Sequence, residues 1–347
     1  MKIEIINSEK FSKIADVIFS EVINLNAFSD LENKENLHVI DKTNTKDVSL
    51  VWYVAKKLNI ADGNIVFCKT ELVEYFFKTI EKNNNLKDLI LITSQSDIAV
   101  DEKLYSKKPK SVITWFAVNA VHQAVDLIPL PLGVNNSYIL KFPQEDDFIK
   151  NGEDLNQKQE KLYLNFNMNT NPFHRLHTIL SMAFKKDTVI KPANISKTEY
   201  LDDLGKYRYI VCPLGNGFDS HRIWEAIYSN SIGVVKKHPA FQTFEGLPLI
   251  QISSFININI ENLSIDHMKD LRKADFGYWK KVLESAKTLS SKNSINIDFQ
   301  EDLQEFFVDK NKYNKQISKM KSRRALIFKS YKFIFKILFY KKFKNLL

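Results

Sequence analysis

A chain of 347 residues is longer than one hydrophobic core usually serves, and its composition, 44% apolar, 12% aromatic and 26% charged, can build large cores. With only nine Gly, nine Pro and two Cys, collagen-like, low-complexity and disulfide-stapled classes are excluded. The formal net charge of +9 belongs to a tail: residues 310–347 hold 13 Lys and Arg and no Asp or Glu, which leaves 37 basic against 41 acidic groups before it. A mildly acidic body disfavours a basic nucleic-acid groove, so no nucleic-acid partner is expected.

The amino terminus, Met1-Lys-Ile-Glu-Ile-Ile, carries an acid at position 4 and turns polar at Asn7. It reads as a first strand and not as a secretory signal. Residues 64–68 suit a buried strand, residues 71–82 a helix with Leu72, Phe76 and Ile80 on one face, and residues 89–93, 112–116 and 128–132 further strands. That rhythm implies a parallel sheet covered by helices. Residues 141–160 are polar and charged with almost nothing to bury, which marks a linker.

The rhythm then restarts with a strand at 161–166, a helix at 171–184, a strand at 188–191 and a helix opening on the capping box Ser196-x-x-Glu199. A strand at 207–212, a helix at 219–229 and strands at 232–235 and 247–252 follow. The expected fold is α/β, with one unit over residues 1–145, a second over 146–309 and a basic aromatic helical tail over 310–347. Two such units place the ligand in the cleft between them, at the carboxyl ends of the strands. Cys68 and Cys212 stand far apart without zinc spacing and read as reduced core thiols, as in a reducing cytoplasm. Eighteen uncharged apolar residues never run together, so no membrane-spanning helix is expected.

Five of the nine glycines fall between residues 205 and 246. There, Tyr207-Arg-Tyr-Ile-Val-Cys-Pro-Leu-Gly-Asn-Gly-Phe-Asp-Ser-His-Arg-Ile-Trp-Glu-Ala226 reads strand, Gly215-Asn216-Gly217 loop, helix. The glycines let backbone approach a ligand, and free amides at a helix start favour an anion. Arg222 and Glu225 share a helix face: the guanidinium suits phosphate oxygens, and the carboxylate suits vicinal hydroxyls of a ribose. The plain alternative is a surface pair beside a turn. Neither the Gly-x-Gly-x-x-Gly dinucleotide fingerprint nor a P-loop is present, since position 220 is Ser and no Gly-Lys-Ser/Thr follows.

Pro213-Leu-Gly-Asn-Gly-x-Asp219, Arg222-x-Trp-Glu-Ala226 and Ser231-Ile-Gly-Val-Val235 resemble the nucleotide-sugar-binding motif of exostosin-like GT-B glycosyltransferases, with Val234 where a proline is usual. Ile92-Thr-Ser-Gln-Ser-Asp97, Trp115-Phe-Ala-Val-Asn119 and Ile128-Pro-Leu-Pro-Leu-Gly133 resemble bacterial surface-polysaccharide members of that group. The resemblance implies two Rossmann-like domains, a nucleoside-diphosphate sugar donor held mainly by the second, inversion at the sugar carbon and no essential metal or other cofactor.

Asn165-Phe-Asn-Met-Asn-Thr-Asn-Pro-Phe-His-Arg175 leaves a strand and enters a helix, with Pro172 early in it. Its polar side chains could line the cleft and Arg175 could reach a donor phosphate; a simple N-cap cluster with an exposed Arg is the equal alternative. His174 and His177 read as structural. Asp97, following a strand and a Thr-Ser-Gln-Ser loop, is the expected catalytic base, against the alternative of a turn cap; His122 is a weaker choice. In residues 319–347, Lys329, Lys332 and Lys336 form one helical stripe and Phe328, Tyr331, Phe335 and Leu338 another, as for a helix lying in an anionic membrane surface, each base adding ~1 kcal/mol. Part of the tail packing back over the first unit is the alternative.

The function expected from all of this is sugar transfer from a nucleoside-diphosphate sugar to a hydroxyl of a glycan or lipid-linked glycan acceptor, a capsule, O-antigen or lipooligosaccharide precursor. The enzyme would be cytoplasmic, peripheral at the inner membrane face. The alternative is a non-catalytic nucleotide- or glycan-binding protein docked by its tail.

Overall fold

The computed structural model describes residues 3–31, 36–82, 85–148, 155–263, 270–287 and 294–298. The described strands are β1 (Val17–Asn24), β2 (Leu37–Asn44), β3 (Ser49–Ala55), β4 (Lys57–Ala61), β5 (Ile65–Lys69), β6 (Leu89–Ser94), β7 (Val112–Ala117), β8 (Leu127–Pro129), β9 (Gln159–Leu164), β10 (Thr188–Ile190), β11 (Tyr207–Val211), β12 (Ile232–Lys236), β13 (Leu249–Ile252) and β14 (Ser294–Asp298). The helices are α1 (Ser8–Lys13), α2 (Leu25–Ser29), α3 (Val73–Glu81), α4 (Glu102–Tyr105), α5 (Glu145–Phe148), α6 (Pro172–Met182), α7 (Lys197–Lys206), α8 (His221–Tyr228) and α9 (Phe276–Ala286).

A seven-stranded sheet runs in the order β2-β3-β1-β5-β6-β7-β8, and a five-stranded sheet in the order β10-β9-β11-β12-β13. The second is parallel throughout. The first is parallel from β1 to β8 and antiparallel where β3 joins β1 and β2. Strands β5 and β6 are buried along their whole length, the expected state of central parallel strands covered on both faces. One cluster joins Phe67, Ile92 and Phe116 of the first sheet to Tyr163 and Ile210 of the second and to Trp224 of α8, so the two sheets share apolar packing.

Expected strands and helices from residue 64 onward recur with ends shifted by a few residues, Pro172 opens α6 as expected, and Ser196 Oγ accepts from the Glu199 N–H at 3.1 Å. Four expectations change. Residues 3–7 form no strand; Ile5 and Ile6 are buried, with Ile6 O accepting from Val134 N and Ile6 N donating to the Tyr228 hydroxyl, so the segment wedges between the two sheets. The first sheet is mixed, because the unassigned stretch before residue 62 supplies an antiparallel hairpin edge. The linker is partly structured: Phe148 is buried, Glu145 binds Lys10 at 2.7 Å, and buried Lys158 donates to Leu204 O, Ser229 O and Ser231 Oγ.

The fourth change concerns residues 276–287 and 294–298, assigned by sequence to the second unit, which pack on the first. Phe276 meets Phe11 edge-on at 5.4 Å between ring centres, Lys287 pairs with Asp16, and β14 pairs antiparallel with β4. The tail at 310–347 lies outside the described residues. Among the described residues no helix is long and apolar enough to cross a membrane, and both cysteines are buried free thiols.

Candidate functional site

The carboxyl ends of β6, β7 and β8 meet the loop that leaves β11. Parallel strands end in loops that run over the sheet edge, so residues 95–97, 119 and 132–136 come to face residues 213–222. Gln95 and Asn119 both hold positive φ, 58° and 59°, an uncommon state for residues other than glycine. Each is fixed by its own amide: Gln95 accepts from Val22 N and donates to Val22 O, while Asn119 Nδ2 donates to Ser96 O and its Oδ1 accepts from Phe218 N and Asp219 N. Strained backbone held this firmly at a strand exit is a mark of functional sites.

Gly217 is required by that contact. A Cβ there would sit 2.6 Å from Asn119 Nδ2. Gly217→Ala is therefore expected to push Asn119 off the Phe218 and Asp219 amides and cost about 2 kcal/mol, read as a lower thermal unfolding midpoint. An unchanged midpoint would show that the loop yields without loss.

Three further bonds join α8 and its lead-in to one segment of the first sheet. Asp219 Oδ2 accepts from Leu132 N at 2.8 Å, His221 Nδ1 lies 2.8 Å from Gly133 O, and Asn135 Nδ2 donates to Glu225 Oε1 at 3.2 Å. Gly133 is irreplaceable on steric grounds, with φ +76° and a Cβ position only 2.1 Å from Ile6 O. Trp224 Nε1 also donates to Asp219, and burial pushes the Asp219 carboxyl up to about 7. Burial lowers the His221 pKa, which favours the neutral ring.

The electrostatic centre is a pair of guanidinium groups, both close to the Phe166 ring. Arg175, on α6 beyond the end of β9, is buried 5.5 Å from the Phe166 ring centre; Nε donates to Leu214 O and Nη1 to Asn167 O, at 3.2 and 2.5 Å. Its Nη2 lies 3.6 Å from where a Gly215 Cβ would stand, an ordinary contact distance that puts this donor beside the glycine loop. Arg222, on the first turn of α8, packs 6.0 Å from Phe166 and 5.7 Å from Tyr200. It makes no hydrogen bond among the described residues, and its Nε is buried without a partner. Burial and the neighbouring Arg222 charge draw Arg175 down to about 9, still cationic at neutral pH. Burial opposes the Arg222 charge too, but Tyr200 and Glu225 hold its pKa above the ordinary arginine value.

Glu225 is 4% exposed, with Oε2 accepting from the Tyr200 hydroxyl at 2.6 Å and Oε1 from Asn135. It faces the junction of the two sheets, with both oxygens engaged by protein. Asp97 is exposed at the rim and accepts from Asn216 Nδ2 at 3.2 Å, across the gap between the two sheets. Asn171 Nδ2 donates to Gly215 O, which ties the β9 exit to the glycine loop. Ser220, at the N-cap of α8, makes no capping bond and its hydroxyl is buried without a partner.

No protein-family model matches the chain, and no curated protein matches it. Asp97, Arg175, Gly215, Asn216, Gly217, Arg222 and Glu225 all lie at or beside the meeting of the two sheets. His122 packs against Tyr105, ring centres 4.6 Å apart, and His174 edge-on against Phe255 at 6.3 Å. Phe166, Tyr200, Asn119, Asn135 and Asp219 complete the arrangement without having been singled out. Asn119 and Asp219 stand inside the motifs quoted for the resemblance, whereas Tyr200 and Asn135 carry no signal of their own. Among the described residues no group of three His, Cys, Asp or Glu side chains is placed to hold a metal ion.

Proposed function

We propose that the protein is a glycosyltransferase of GT-B-like, two-unit arrangement that binds the diphosphate of a nucleoside-diphosphate sugar at Arg175, Arg222 and the glycine loop. The observation that carries this reading is the guanidinium pair: two cations share one phenyl ring, with no carboxylate bonded to either and donors left unmet. Like charges in a buried site raise each other's cost, and an unbonded buried N–H adds about 1–3 kcal/mol, so the arrangement calls for an anion with several oxygens.

In the reaction, the acceptor hydroxyl oxygen forms a bond to the sugar's anomeric carbon as that carbon's bond to the diphosphate oxygen breaks. Asp97 takes the hydroxyl proton, and the charge that develops on the departing diphosphate is met by Arg175 and Arg222. Glu225, held by Tyr200 and Asn135, would take the ribose hydroxyls on the lone pairs those two bonds leave. The acceptor is a surface-glycan precursor, and the basic tail would hold the enzyme at the inner membrane face.

The test is a thermal-shift panel of UDP, GDP and their sugars on the full chain, followed by product analysis with the nucleotide sugar that binds. A raised midpoint and a transferred or hydrolysed sugar are expected. Saturation without product would leave a binding protein, and no shift with any nucleotide would end the reading.

A further inference from the structure

We infer that the stacked rings of Phe218 and His238 form the subsite for the sugar of the nucleotide-sugar donor, with His238 Nε2–H donating to a sugar oxygen. This subsite rests on the donor site proposed above and adds the side chains that would recognise the transferred group.

The glycine loop carries Phe218 directly after Gly217, and His238 follows the end of β12 by two residues. Strands β11 and β12 are parallel neighbours, so their exits lie side by side at the carboxyl edge of the second sheet. There the two rings meet face to face, with centres 3.7 Å apart and planes 14° from parallel. Both segments are fastened to the first unit: Asn119 Oδ1 accepts from Phe218 N at 2.9 Å, and Thr243 Oγ1 donates to Pro129 O at 2.9 Å. Phe241 meets the His238 ring edge-on at 6.2 Å. A stack held on several sides loses little freedom when a ligand arrives.

One bond fixes the tautomer. His238 Nδ1 accepts from Ala240 N at 3.2 Å, so the proton of the neutral ring sits on Nε2. Burial lowers the His238 pKa, which favours that neutral form. Both residues are half-buried, and among the described residues nothing bonds to Nε2, which leaves one open donor beside an aromatic surface.

Position selects the ligand. Two residues before Phe218, Asn216 bonds to Asp97, the proposed base, and Gly215 stands beside Arg175. The anomeric carbon has to lie between the base and the diphosphate, so the transferred sugar runs along this loop. A pyranose offers C–H bonds to an aromatic ring and oxygens to a ring N–H, and Phe218 and His238 supply both.

The test is titration calorimetry on the full chain with UDP, UDP-glucose, GDP and GDP-mannose. His238→Phe keeps an aromatic stack and removes the N–H. It should leave the affinity for the bare nucleotide unchanged and weaken the matching nucleotide sugar about 5-fold, the effect of one neutral hydrogen bond. Retained nucleotide binding also shows that the variant is folded. Phe218→Leu, which removes the other ring, should separate the two ligands in the same way. Equal loss for nucleotide and nucleotide sugar would make the stack a scaffold of the loop, and unchanged affinity for both would exclude contact with the sugar. Either result overturns the subsite and leaves the donor site standing, whereas a wild-type protein that binds no nucleotide would end both.

Discussion

Replacing Arg222 with Met is expected to remove the stabilisation conferred by a nucleoside diphosphate while the unliganded protein stays within about 1 kcal/mol of the wild type. The substitution loses attraction to Glu225, but it also removes a buried N–H that bonds to nothing and relieves the charge beside Arg175. Met keeps contact with the Phe166 and Tyr200 rings, so little cavity is left. At a nucleotide concentration one hundred times Kd, wild-type binding contributes about 2.7 kcal/mol, and this is the increment the variant should lack in a calorimetric scan. Arg175→Met should behave differently: Leu214 O and Asn167 O each lose a charged donor, so the free protein itself should weaken by about 2–4 kcal/mol. An Arg222→Met protein still stabilised by nucleotide would refute the anion site, and one that unfolds readily without ligand would make Arg222 a scaffold residue.

Stability is expected to decline as pH rises from about 4 to 7, with Asp219→Asn flattening the decline. Burial raises the Asp219 pKa to about 7, whereas in the unfolded chain it takes the ordinary value of about 3.9. Between those values the folded state binds the proton and the unfolded state does not, so raising the pH favours unfolding; the gap corresponds to at most about 4 kcal/mol. Glu21, also raised by burial, acts in the same sense, so the slope should lessen and not vanish. Asp219→Ala should cost more, about 2–4 kcal/mol, because Leu132 N and Trp224 Nε1 lose their acceptor. Urea unfolding at pH 5 and pH 8 checks both. Parallel slopes for wild type and Asp219→Asn would show that this carboxyl does not titrate in that window.

The parallel core was legible because residues such as 65–69 and 89–94 are apolar on both faces and bounded by polar turns. The glycine loop was legible because glycine is scarce in this chain and clusters there. The hairpin edge was not, since β2, Leu-His-Val-Ile-Asp-Lys-Thr-Asn, lies half in water and its pattern competes with that of a loop. The amino-terminal segment misled for a different reason: Ile5 and Ile6 are apolar because they are buried between two sheets, and burial alone does not require a strand partner. In the site, the arginines and glycines announced themselves by type and spacing. Their supports did not: Tyr200 is one aromatic on a helix, and Asn135 matters only because the chain brings it beside a carboxylate ninety positions away.

The antiparallel ribbon between β4 and β14 bears on how the molecule assembles. Asn59 bonds to Asn296, 237 positions later, and Glu4 N reaches Asp275, 271 positions later. Ile60 and Ile297 belong to one core cluster, so the amino-terminal half keeps a sticky flank until β14 has left the ribosome. Closing loops of that size is entropically slow, and a nascent or truncated amino-terminal half should be a chaperone client and prone to aggregate.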